Sequence, residues 1–281
     1  MKTYLDCLPC MMNQALRTAR IATNDYVKIK LVLDEVGAMI KDIPMHNTPV
    51  QSGSIVYRKI RELTGVVDPY KDIKRNSIRE ALALYPKLIE YMNDSDNKLL
   101  TAIRIAITGN VIDFGMNKYF DLEEDLKTIL NQDFAIFDFK EFVNKLKKAK
   151  SVLYIGDNAG ESVFDKILIQ AIEKPVTYIV RGIPIINDVT MEDAIESSIG
   201  EIAELISSGS RAPGTILDFC NEDFVRRFNE ADMIISKGQG NYEGLSNVSR
   251  SVFFLLKAKC KIIANDLGVK ENDIILKGIN Q

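Results

Sequence analysis

Residues 151–161, Ser-Val-Leu-Tyr-Ile-Gly-Asp-Asn-Ala-Gly-Glu, narrow the folds open to this chain more than any other stretch. Positions 151–155 are a short apolar run stopped by glycine, the pattern of a strand buried on both faces of a parallel sheet. Gly156 and Gly160 then bracket a tight turn, and Glu161 opens an amphipathic segment reaching about residue 173. In open α/β sheets the ligand sits just beyond the carboxyl ends of the strands, where Asp157 and Asn158 fall. Two oxygen-bearing side chains there suit a hard divalent cation or a phosphate-linked metal.

The chain before this unit reads as helices. Residues 10–23 and 26–43 carry apolar residues at three-to-four spacing, with Asn24 placed to cap the second. Thr48-Pro49 pairs an N-cap with proline at the first helical position, and Gly65 closes that helix. Asp68-Pro69 repeats the start for a long helix toward Met92, in which Pro86 predicts a kink or break. A further helix spans 98–107, and shorter ones are expected over 121–131 and 139–148.

From residue 151 the period changes. Residues 176–180 and 233–236 read as further strands, and 261–264 as a fourth. Helices are expected between them over 189–206, 218–229 and 248–259, which puts Phe253-Phe254-Leu255-Leu256 on a buried helix. Thr190 followed three residues later by Asp193 resembles a capping box. Strands alternating with helices imply right-handed crossovers. The expected fold is α/β: an all-helical region, residues 1–107, packed on a Rossmann-like three-layer α/β/α domain, residues 108–281, with a mainly parallel sheet. The second domain is expected to carry the metal and phosphate site.

Each strand is followed by chemistry-bearing sequence. Asp157-Asn158 follows the first, Asn187-Asp188 comes after the second, and Lys237, Asn241 and Glu243 follow the third. Parallel strands bring these loops to one rim. Two aspartates and an asparagine oxygen form an oxygen-only ligand set suited to Mg²⁺ or Mn²⁺. A lysine supplies positive charge for a phosphoryl group, and Gly238 and Gly240 let backbone N–H groups approach it. Asn110 and Asp113 are three apart, sharing a face if a helical turn forms.

Gly238, Gly240 and Gly244 approximate a dinucleotide fingerprint. Such a fingerprint belongs on the first strand with an acid closing the second, whereas here it follows the third. An aspartyl nucleophile expects Asp-x-Asp after its strand, and the third position here is Ala159, which favours Asp157 as a metal ligand. A non-catalytic phosphometabolite- or nucleotide-binding module is the alternative, but it has little use for so many metal-type oxygens.

A net charge of −3 argues against nucleic acid as the main partner. No apolar stretch approaches the ~20 residues that span a bilayer, and the N-terminus lacks the apolar region of a signal peptide, so a cytoplasmic location is expected. Of four cysteines, Cys7 and Cys10 form a CxxC lacking the second CxxC of a zinc ribbon or the preceding strand of a thioredoxin motif. The single histidine, His46, sits in a polar loop, so histidine-based catalysis is not expected.

Cys7-x-x-Cys10, Asp68-Pro69-Tyr70, Gly109-Asn110-x-x-Asp113, Gly156-Asp157-Asn158-Ala159-Gly160-Glu161, Asn187-Asp188-Val189-Thr190 and Lys237-Gly238-Gln239-Gly240-Asn241 occur in this order. Together they closely resemble the damage-control phosphatase family, also catalogued as domain of unknown function 89, and the CxxC resembles its stand-alone, mostly prokaryotic branch. The resemblance implies a metal-dependent phosphatase of small phosphorylated metabolites, sugar phosphates included, using Mn²⁺, Co²⁺, Ni²⁺ or Mg²⁺. It implies that Asp157, Asn158 and Asp188 bind the metal. Lys237, Gly238, Gly240 and Asn241 would hold the phosphate together with Glu161, while Asn110 and Asp113 approach from the helical side. The expected mechanism is single-metal hydrolysis, with Lys237 offsetting phosphoryl charge and either Asp157 or Asp188 orienting the water.

Overall fold

The structure, a computed structural model, describes residues 1–109, 130 and 132–281. Asn110, Asp113 and nearly all of the helix expected over 121–131 lie outside the described residues.

Five helices open the chain: α1 (Cys7–Ala22), α2 (Tyr26–Ile40), α3 (Pro49–Thr64), α4 (Lys71–Asn93) and α5 (Lys98–Thr108). The cap of α2 is Asp25 rather than Asn24, its carboxylate accepting from the Val27 and Lys28 amides. Thr48 and Gln51 form a reciprocal capping box on α3, which ends at Gly65 in the left-handed conformation. Helix α4 runs through Pro86 as one element. Pro86 lies on the exposed face, where water can satisfy the carbonyl that loses its intrahelical donor.

The rest of the chain builds a seven-stranded sheet from β1 (Phe134–Phe137), β2 (Val152–Ile155), β3 (Val176–Val180), β4 (Glu204–Ser207), β5 (Met233–Lys237), β6 (Val252–Lys257) and β7 (Ile274–Ile279). The order across it is β1-β7-β6-β5-β2-β3-β4, and every neighbouring pair is parallel except β6 with β7. Helices α6 (Phe139–Lys148), α7 (Glu161–Ile172), α8 (Met191–Glu196), α9 (Glu222–Glu230), α10 (Gln239–Leu245) and α11 (Lys261–Leu267) connect the strands.

Alternate residues of each central strand enter opposite cores, as the period of two requires. Tyr154, Tyr178, Ile235 and Leu255 meet α4, α5 and α7 on one face. Leu153, Ile155, Ile179, Ile234 and Phe254 meet α9, α10 and α11 on the other. Helices α1, α2 and α3 share a separate core of Met11, Ala15, Val32, Val36, Val56 and Ile60. The 1–107 region therefore feeds two cores, its last two helices covering the sheet.

Several local expectations are corrected. Residues 252–257 form β6, not a helix, and 261–267 form α11, not a strand. The run Val-Phe-Phe-Leu-Leu is buried on every side, and a continuous apolar run has no period with which to separate a buried strand from a buried helix. The helix expected over 189–206 is α8, a 3₁₀ turn and then β4. The helix expected over 218–229 starts at Asn221, whose side chain caps the Phe224 amide, and forms α9. Strands β1, β4 and β7 are additions, all toward the sheet margins.

The chain order reverses beside β2: β3 and β4 lie to one side, β5 and β6 to the other. This is a topological switch point, where the loops after β2 and β5 part and leave a crevice.

Candidate functional site

Two loops at that crevice are zipped together by their backbones. The Ala159 amide donates to Asn187 O at 2.8 Å, and the Val189 amide donates to Asp157 O at 2.8 Å. They form an isolated antiparallel bridge between Asn158 and Asp188. This pairing brings Asp157, Asn158 and Asp188 together.

Arg181, the first residue after β3, orders what lies beneath. It is 1% exposed. Its Nε donates to Asp188 Oδ2 at 2.7 Å, Nη1 to Thr215 Oγ1 at 3.2 Å and Nη2 to Asn241 Oδ1 at 3.0 Å, with Nη2 also 3.9 Å from Asp157 Oδ1. The Asn241 amide group donates to Gly156 O at 3.0 Å and Lys237 O at 2.7 Å, tying the ends of β2 and β5. Asn241, expected to touch phosphate, is wholly buried and serves this knot.

Lys237 is the clearest departure from expectation. It is 0% exposed and does not line the cleft. Its ammonium donates to Asp165 Oδ1 at 2.8 Å and Glu161 Oε2 at 3.2 Å. Asp165 accepts from the Tyr154 hydroxyl at 2.7 Å and the Tyr178 hydroxyl at 2.8 Å. Glu161 also accepts from the Asn158 amide, which donates to Asp157 Oδ2 at 3.3 Å as well. Lys237 thus acts through Glu161 rather than from the cleft wall.

Gly238 has φ +77°, and a Cβ there would overlap the Asp157 carboxylate. The turn after β5 needs that conformation and Asp157 needs the space, so any side chain is excluded twice. Gly238→Ala is expected to lower stability by about 2 kcal/mol or more and to shift Asp157; chemical denaturation measures the first.

The electrostatics define a cation-hungry pole. Asp157, Glu161, Asp165 and Asp188 are all buried and face two buried cations, Arg181 and Lys237. With all four ionised, two negative charges would exceed these cations, an excess that a divalent ion would balance. Burial, then Glu161 and Asp188, push the Asp157 carboxyl up to about 8. Burial raises Asp188 too, against the opposing pull of Arg181. Among the described residues no group of three or more His, Cys, Asp and Glu side chains is arranged to hold a metal. The expected ligand set contains only two acids, and Asn158 turns its NH₂ toward Asp157 and Glu161. Its Oδ1 and the two aspartates suit a hard cation by donor chemistry.

Asp157, Asn158 and Asp188 line a cavity of about 820 Å³, together with Gly160, Glu161 and Gly240. Helix α1 contributes Cys7, Cys10, Gln14 and Arg17, spaced three, four and three apart along one face. Tyr57 and Tyr70 line it from the helical side, Lys257 and Lys259 from the end of β6 and the turn beyond, and Lys261 from the start of α11. Lys259, exposed on the cavity wall, and Arg181 both oppose the upward push on the Asp157 carboxyl. Burial, then repulsion from Lys259, lowers Lys257. Taking residues 248–259 as a helix hid these lysines; as a strand parallel to β5, they arrive at the same rim.

Asp68-Pro69-Tyr70 acts as a clamp. Lys74, 2% exposed, pairs with Asp68 at 2.9 Å and with Asp193 at 2.8 Å, and Asp193 also accepts from the Thr190 hydroxyl at 2.6 Å. The clamp joins the helical region to the segment following Asp188. Glu243 also lines the cavity, and burial pushes its carboxyl up to about 7 against a hydrogen bond from Gln239 at 2.9 Å. A raised carboxyl disfavours the folded state once ionised. Wild-type stability relative to Glu243→Gln should therefore fall by about 3 kcal/mol as pH rises from about 4.5 to 7 and stay level above, read from urea midpoints across pH.

The sequence profile of the Damage-control phosphatase ARMT1-like domain matches residues 3–275. A protein named damage-control phosphatase from Pyrococcus horikoshii is 36% identical over 98% of this chain and 97% of its own. One of the same name from Archaeoglobus fulgidus is 33% identical over 96% and 97% respectively. The crystal structure of a DUF89 family protein from Pyrococcus horikoshii superposes with a TM-score of 0.89 at 34% identity, covering 98% of both chains. Among the described residues, no helix is long and apolar enough to cross a membrane.

Proposed function

The chain belongs to the damage-control phosphatase ARMT1-like family, and from that membership we propose a divalent-metal-dependent phosphatase acting on small phosphorylated metabolites, sugar phosphates among them. The observation that carries the metal requirement is the charge deficit at the pole, where four buried carboxylates face two buried cations. Asp157, Asn158 and Asp188 would hold the ion, of which Mn²⁺, Co²⁺, Ni²⁺ and Mg²⁺ are the candidates. When bound, such an ion polarises a phosphoryl oxygen and acidifies water.

The protein's own groups supply the rest. Lys259, with Lys257 behind it, receives the phosphoryl oxygens and offsets their charge. Arg181 holds Asp188 in place and reduces its basicity, which leaves Asp157 better suited to orient the attacking water and take its proton. Lys237 bridges Glu161 and Asp165 and offsets part of their charge, which holds the two carboxylates beneath the pole. Asn110 and Asp113 remain candidates for contact from the helical side.

The test is hydrolysis of p-nitrophenyl phosphate by chelator-stripped protein, with each of the four metals added back singly. Activity that appears only with metal is expected. Equal activity in the stripped protein would overturn metal dependence, and a folded protein silent with all four and with a sugar-phosphate panel would favour the non-catalytic binder.

A further inference from the structure

The metal pole and the rim lysines account for part of the cleft lining; Arg17 belongs to neither. It lines the cavity from α1, one turn beyond Gln14, and is half-buried. Among the described residues it makes no ion pair, whereas the other cations below the cleft, Arg181, Lys74 and Lys237, each hold two carboxylates. Burying part of a guanidinium without an anion is unfavourable, so a cation kept this way implies that its partner arrives with the ligand. Tyr57 on α3 lines the cavity with it, and Asp188 and Arg17 act on the Tyr57 hydroxyl in opposite directions.

The cavity has room for such a partner. At about 820 Å³ it falls among sites that hold molecules much larger than a phosphoryl group. Its cations form two groups on separate elements: Lys257, Lys259 and Lys261 between the end of β6 and the start of α11, and Arg17 on α1. A lone phosphoryl group on a metal has use for the first group only.

We propose that the cleft selects phosphorylated metabolites carrying a second anionic group, a carboxylate or a second phosphate, and that Arg17 with Gln14 on α1 receives it across the cleft from Asp157 and Asp188. The proposal rests on the phosphatase reading and names its substrate class. The planar guanidinium fork matches the two oxygens of either anion, and Gln14, also on the cavity wall, adds an amide donor. Arg17 is a specificity residue in this scheme, away from the reacting atoms.

Phosphonates that cannot be hydrolysed separate binding from turnover. Calorimetric titration of Mn²⁺-supplemented protein would compare 3-phosphonopropionate with propylphosphonate, which differ by one carboxylate. Wild type is expected to bind the carboxylate-bearing ligand about 10-fold or more tightly than its partner. Arg17→Gln should remove most of that ratio, and Arg17→Lys, which keeps the charge but loses the fork, should retain an intermediate one. Equal affinities in wild type, or a ratio unchanged in Arg17→Gln, would overturn the proposal. If Arg17→Gln does not fold by circular dichroism, wild type and Arg17→Lys decide it. Hydrolysis of p-nitrophenyl phosphate by the same preparation keeps the two readings apart. Turnover without discrimination defeats the second-anion site alone, while discrimination without turnover on any phosphate ester defeats the phosphatase reading and supports the site.

Discussion

Asp157→Asn should lower metal-stimulated phosphatase activity by on the order of 10³-fold while leaving the fold intact. The substitution preserves volume beside Gly238, so packing is undisturbed. It removes a carboxylate that would ionise when a cation binds and replaces a hard ligand with an amide. Affinity for the divalent ion should fall with it, visible as a higher Mn²⁺ concentration for half-maximal rate. The fold is expected to survive because burial already disfavours charge on Asp157, as its upward shift to about 8 records. Asp188→Asn makes an instructive contrast. It would leave Arg181 buried at 1% exposure without its 2.7 Å partner, so stability should fall along with activity. Steady-state kinetics over a Mn²⁺ titration, with melting curves for both variants, check the pair. An Asp157→Asn enzyme within threefold of wild type at saturating metal would remove Asp157 from the site.

Lys237→Met should show its effect in stability before catalysis. Taking away the ammonium leaves Glu161 and Asp165 buried, at 2% and 0% exposure, without their shared cation. Breaking a buried pair from one side is typically worth about 3–5 kcal/mol, and here two carboxylates are orphaned at once. The expected result is a large drop in the urea midpoint or failure to accumulate folded protein. A lysine that met phosphate from the cleft wall would behave differently, with stability near wild type and a raised KM. A double variant, Lys237→Met with Asp165→Asn, removes a charge of each sign and should recover part of the lost stability; no recovery would mean the ammonium acts elsewhere.

The sequence was most legible where local geometry leaves a residue little choice. A strand, a glycine-bracketed turn and a helix over residues 151–161 appear as β2, the loop bearing Asp157 and α7. The N-cap Thr48 with Pro49 after it and the left-handed Gly65 bound α3 as local stereochemistry requires. Strand β3 and helix α6 follow their expected bounds. Periodicity failed where burial is complete. Residues 252–256 have no solvent-facing side to set a phase, so helix and strand were indistinguishable, and the error carried over to Lys257 and Lys259.

By itself, then, the sequence determined the α/β class, the loop chemistry at the strand ends and the juxtaposition of Asp157 with Asn158, because each depends on neighbours within a few residues. Only the tertiary structure decided what those groups face. That Arg181 pairs with Asp188, that Lys237 turns inward to Glu161 and Asp165, and that α1 lays Cys7, Cys10, Gln14 and Arg17 along the cleft are facts about residues up to 76 positions apart or on separate layers. A lysine after a strand carries the same local signal whether it points to solvent, substrate or a buried carboxylate. The direction is set by where uncompensated charge lies once the sheet has closed, since in a low-dielectric interior an ammonium goes to the anions that repay its desolvation.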